Sequence, residues 1–170
     1  IVGQSNHAGT TPMSLRHDPA YVAAEIAVFV RKLALRYGAH QVCTAAKIDL
    51  HPNLINVVPA RATMTLDIRN TDEILLQQAE AEVAAFVKEI AVAEGVSITS
   101  RTLARFEPVE FDSRVVDCVE ETARRFGNSV QRMPSGAGHD AQMLARVCPS
   151  GMIFVPSVNG ISHNPAEFTS

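Results

Sequence analysis

Four short segments of this 170-residue chain carry side chains that could do chemistry. In the last twenty residues, GMIFVPSVNGISHNPAEFTS, an apolar run (151–155) breaks into a Pro/Gly loop presenting Ser162, His163 and Glu167. An imidazole on a rigid loop after an apolar strand suits a divalent metal, with Ser162, Asn164 or Glu167 placed to orient it. The competing reading is a loop histidine that caps backbone carbonyls, because one histidine is not a metal site. There are six histidines but no H-x-x-x-H or H-x-x-E-H pair, so a complete site needs further ligands. At the other end, His7 precedes a small-residue loop, Gly9-Thr10-Thr11-Pro12, that lets a backbone or ligand approach closely. Its ring could hold a developing oxyanion or a carbonyl oxygen, or simply be a turn histidine in solvent.

Asn56 and Arg69 fall in one strand-like run thirteen residues apart, an odd offset that puts them on opposite faces unless Pro59 resets the register. Arg69 closes that run, where a guanidinium could grip a carboxylate at two points; a surface salt bridge with Asp67 or Asp72 is the plainer alternative. The loop Ser135-Gly-Ala-Gly-His139-Asp140 opens a helix and could offer amides to an anion, although a tight connection explains it equally well. His17, His40 and His51 read as exposed turn residues, and the methionines as core filler.

The elements that must carry these groups follow from pattern. Asp18-Pro19 supplies an N-cap and a first-turn proline, and AYVAAEIAVFVRKLALRYG then has apolar residues at helical spacing up to Gly38. Residues 41–50 and 55–69 read as strands, the second with Ala62, Met64, Leu66 and Ile68 alternating on one face and Pro59 as a bulge, edge or break. Thr71-Asp72-Glu73 opens a second helix running to about Ala93 and stopped at Gly95. The following stretch, VSITSRTLARFEPVEF, alternates like a strand. Residues 1–109 therefore predict an α+β fold, a four-stranded antiparallel sheet with two helices on one face. Residues 110–170 change character: a helix over 112–126, a strand at 130–133, a helix over 139–147 and a strand at 151–156. That is a partial α/β segment, too small to bury both faces of a sheet alone.

Apolar content of 46% and charged content of 19% describe a globular chain. A net charge of −3, 5% aromatics and no basic run give no case for nucleic acid, and charges interrupt every long apolar stretch, which argues against a membrane span. Three scattered cysteines without C-x-x-C spacing favour a reducing, cytoplasmic setting with packed thiols. The chain begins Ile-Val-Gly and ends Thr169-Ser170, a helix N-cap with no helix after it, so it reads as an excerpt of a longer protein.

Taken together, His7-Ala-Gly-Thr-Thr-Pro-Met13 with Arg16 and Asp18, Pro52-Asn-Leu-Ile-Asn-Val-Val-Pro59, Ser135-Gly-Ala-Gly-His-Asp-Ala141 and Gly160-Ile-Ser-His-Asn-Pro-Ala-Glu167 resemble the allantoate amidohydrolase and N-carbamoyl-L-amino-acid hydrolase group. That group, with its ureidopropionase and ureidoglycolate hydrolase relatives, belongs to the dinuclear-metal aminoacylase and carboxypeptidase superfamily. The resemblance covers essentially the whole chain. It implies that residues 1–109 are a lid or dimerisation domain and 110–170 an incomplete return into a catalytic domain. It further implies His163 as a metal ligand, His7 as the oxyanion-stabilising catalytic group contributed across a homodimer, and Asn56, Arg69 and His139 as substrate-binding. The implied cofactors are two divalent metal ions (Zn, Mn, Co or Ni) and the implied substrate a small ureido or carbamoyl carboxylate. The first metal ligands and a glutamate base would lie outside this chain, which alone is expected to hydrolyse nothing. An aminoacylase or dipeptidase of the same superfamily, and a non-catalytic dimerisation module, are the alternatives.

Overall fold

The first helix, α1 (Pro19–Tyr37), begins where the sequence predicts. The Asp18 carboxylate accepts from the amides of Ala20 and Tyr21 at 2.9 and 3.4 Å, Pro19 fills the first turn, and Gly38 ends the helix at φ +93°. Its inward stripe, Val22, Ile26, Val30 and Leu33, is almost entirely buried, and each such side chain contributes about 1.5–3 kcal/mol of burial. α2 (Glu73–Ala93) is capped in the same way by Asp72 and buries Leu76, Ala79, Val83 and Ile90. Phe29 and Phe86 stack between the helices with ring centroids 4.0 Å apart.

Beneath α1 lies an antiparallel ribbon of β2 (Val42–His51) and β4 (Arg61–Arg69). The inward residues of β4 are even-numbered throughout: Ala62, Met64, Leu66 and Ile68. Opposite them on β2 stand Leu50, Ile48, Ala45 and Cys43, because the register shifts between Ala45 and Lys47. A one-residue slip normally turns a strand's apolar set outward; the bulge at Ala46 restores it. Burial raises the pKa of the Cys43 thiol, and all three cysteines are free.

The computed structural model describes residues 1–170, which divide into a unit of Ile1–Pro108 and a second of Val109–Ser170. The α+β class holds, but the sheet is not four-stranded: β2 pairs only with β4, and β1 (Asn6–His7) pairs with β3 (Val57–Val58). Val2 joins Arg61 and Ser97 by isolated bridges. The alternating run after α2 is thus a strand only at Ser97, whose amide and carbonyl bond to Val2 at 2.8 and 2.7 Å; beyond it no segment offers a ladder. The run expected as one strand over 55–69 is split at Pro59-Ala60, since a proline has no N–H for the ladder, and its two halves join different sheets.

In the second unit α3 (Ser113–Arg125) and α4 (Asp140–Leu144) form, but the strands expected at 130–133 and 151–156 do not. An apolar run becomes a strand only against a partner, and Ile153, Phe154 and Val155 stay 72, 46 and 65% exposed. No helix is long and apolar enough to cross a membrane.

Candidate active-site residues

His7 sits at the end of β1, paired with Val57, while the amide of Ala8 donates to the carbonyl of Asn56 at 2.9 Å. Two residues that the sequence leaves 49 positions apart are thereby neighbours. After His7 the chain turns back on itself. The Thr11 amide and hydroxyl both donate to the His7 carbonyl, at 3.2 and 2.7 Å, and the Gly9 amide donates to His7 Nδ1 at 3.0 Å. A nitrogen that accepts an N–H carries no proton, so the neutral ring holds its hydrogen on Nε2. The exposed edge of His7 is therefore a hydrogen-bond donor.

Arg69 lies at the far end of β4, about 26 Å of strand beyond Arg61. Its Nε and Nη2 donate to the two carboxylate oxygens of Asp67 at 2.7 and 2.6 Å, the plainer of the two sequence readings. Those bonds hold the Asp67 carboxyl below the usual carboxylate range and raise the Arg69 guanidinium. Both side chains are nearly half exposed on the outward face of the ribbon. The Arg69 backbone is fixed from beneath: Gln41 Nε2 donates to its carbonyl at 3.0 Å, and Gln41 Oε1 accepts from Asn70 Nδ2 at 2.9 Å. Gln41 and Asn70 are a buried polar pair, a contact invisible in the sequence because 29 residues separate them.

In the second unit His139 is the N-cap of α4, its Nδ1 accepting from the Ala141 amide at 3.0 Å. Here too the free ring nitrogen is a donor. Asp140 opens the same five-residue helix. His163 adopts a left-handed backbone, φ +54°, which costs a non-glycine residue about 1–3 kcal/mol. Its amide donates to Glu167 Oε2 at 2.9 Å, and Asn164 Oδ1 accepts from Ala166 at 2.9 Å. Glu167 and Asn164 thus brace the turn rather than the imidazole, and the ring is exposed. No group of three or more His, Cys, Asp or Glu side chains is arranged to hold a metal. By themselves the donors of residues 1–170 do not fit a metal centre, which needs three or four ligands.

The sequence profile of peptidase family M20/M25/M40 matches residues 32–170. The chain belongs to that family. Among relatives of this M20 chain, the allantoate amidohydrolase of Escherichia coli strain K12 is 41% identical over 99% of this chain and 41% of its own length. The N-carbamoyl-L-amino acid amidohydrolase of Geobacillus stearothermophilus is 38% identical over 100% of this chain and 41% of its own. A solved amidase of the hydantoinase/carbamoylase family from Burkholderia vietnamiensis superposes with a TM-score of 0.95 at 37% identity, covering 99% of this M20 chain and 41% of that structure. The chain spans about 41% of the length of the curated relatives it matches.

Proposed function

We propose that the protein to which this chain belongs is a metal-dependent amidohydrolase that cleaves the ureido or carbamoyl C–N bond of a small carboxylate substrate, allantoate or an N-carbamoyl amino acid. The observation that carries this is the donor Nε2–H of His7 held beside Asn56. The relatives named above carry amidohydrolase chemistry in their names and support the substrate class.

In this reading the lid unit, residues 1–109, supplies recognition. The His7 Nε2–H donates to the substrate oxygen on which negative charge grows as the carbamoyl carbon becomes tetrahedral. Asn56 bonds the ureido group with its amide, and Arg69 grips the carboxylate. The Asp67 pair keeps the guanidinium fork outward, so a substrate carboxylate must share or displace it. Residues 110–170 belong to the catalytic domain, where His139 presents its Nε2–H towards substrate and His163 would be one ligand of a dinuclear Zn, Mn, Co or Ni centre completed from outside residues 1–170. Such a centre would supply an activated water. No group of three or more His, Cys, Asp or Glu side chains in residues 1–170 would complete that centre. The whole protein works in the cytoplasm as a homodimer joined through the lid, His7 serving the partner's site. The outer edge of β2, whose only ladder partner is β4, supplies unpaired backbone groups for that pairing.

The test is ammonia release by the whole protein with added metal, on allantoate, ureidoglycolate, N-carbamoyl-β-alanine and N-carbamoyl-L-amino acids. Turnover of one substrate, abolished by His163→Ala and weakened mainly in KM by Arg69→Ala, is expected. Silence on every ureido acid, with cleavage of acylated amino acids or dipeptides, would replace this reading with an aminoacylase.

A further inference from the structure

The loop that carries His7 is closed by a cation that the proposed chemistry leaves without a role. Arg16 Nη2 donates to the Ala8 carbonyl at 2.6 Å and Arg16 Nε to the Thr11 carbonyl at 3.1 Å. One planar fork therefore spans both ends of the turn that folds over the imidazole, a two-point grip an ammonium could not reproduce. Within that turn the Gly9 amide meets Nδ1. A Cβ on Gly9 would lie 3.3 Å from His7 Cε1 and 3.6 Å from Nδ1, so the ring packs against the bare α-carbon. Thr11 is buried and locks the His7 carbonyl. The Thr11 bonds restrain the His7 carbonyl, the Gly9 amide engages Nδ1 of its ring, and the Arg16 bonds tie the turn between them, while His7 itself is an exposed residue.

We propose that Arg16 is a positioning residue for His7. Its guanidinium holds the 8–11 turn closed so that the Gly9 amide occupies Nδ1 and Nε2–H alone faces the reacting oxygen. The role rests on His7 meeting the substrate as proposed above. With Arg16 neutralised, the Ala8 and Thr11 carbonyls lose their common donor. The turn opens, and the ring samples orientations and tautomers in which Nε2 no longer donates.

The decisive measurement is the ¹⁵N–¹⁵N coupling across the Gly9 N–H···Nδ1 His7 hydrogen bond in the labelled 170-residue chain, read beside kinetics of the whole protein. The coupling is expected in the unaltered chain and lost in Arg16→Gln and Gly9→Ala, with amide-exchange protection of β2 and β4 kept as proof that the unit is folded. The same bond between Ala141 and His139 Nδ1 is the internal reference and stays in both variants. In the whole protein Arg16→Gln lowers kcat on the order of 10²-fold with KM within a few-fold, the pattern of a misplaced catalytic group. Added guanidinium ion restores part of the coupling and of kcat. A coupling that survives Arg16→Gln, or a loss confined to KM, overturns the proposal. If no ureido acid is turned over, the functional reading fails while the coupling still reports on the clamp, so the two failures are told apart.

Discussion

At the scale of single residues, the chemistry-bearing side chains are held by neighbours close in sequence, and each neighbour sets a tautomer or a direction. Gly9 settles the tautomer of His7, Ala141 that of His139, and Asp67 aims Arg69. The Asp67 pair has a pH signature. Its folded pKa lies below the ordinary value of 3.8, so its contribution to stability is complete above about pH 4 and fades as pH falls through the lowered value. Because both groups are nearly half exposed, that contribution is under about 1 kcal/mol. Urea midpoints of the unaltered chain and Asp67→Asn, taken from pH 6 to 3, are expected to differ at the top of the range and converge at the bottom. A gap that widens on acidification would refute the assignment.

Among the elements, α1 bears the most weight, because it covers the inward face of the β2–β4 ribbon and packs on α2. Leu33 is 2% exposed in that interface, and Leu33→Ala is expected to cost about 2–5 kcal/mol through a cavity the helices cannot close. Asp18→Ala removes only the cap and costs about 1 kcal/mol. Denaturant midpoints of the two variants, followed by a probe in the first unit, rank them. Equal losses would mean that α1 is held by its cap rather than its stripe. Gly95 is a further pressure point. Its φ of +61° and a Cβ position 2.6 Å from His17 Nδ1 leave no room for alanine, which would push His17 off the Glu94 carbonyl.

For the whole molecule, the single metal-ligand candidate and the absence of any three-donor group give a direct expectation. The 170-residue chain alone releases no ammonia from any ureido acid, even with Zn, Mn, Co or Ni supplied, and binds these ions only weakly. Robust metal-dependent turnover by residues 1–170 in a purified preparation would contradict it.

What the sequence by itself determined is local. Helix starts at Asp18 and Asp72, the stop at Gly38 and the alternation of Ala62, Met64, Leu66 and Ile68 are legible because a cap, a left-handed glycine or a period-two pattern acts over a few residues. The four motifs likewise announced the family, now shown over residues 32–170. Tertiary structure decided the rest. It parted 55–69 into two sheets, reduced the strand after α2 to one bridge, and left the apolar run at 151–156 unpaired. It also paired His7 with Val57 next to Asn56 and buried Gln41 on Asn70 beneath Arg69. A strand exists only through a partner supplied elsewhere in the chain, and a site only through side chains that the fold brings into register. Neither relation is written in the spacing of residues along one segment.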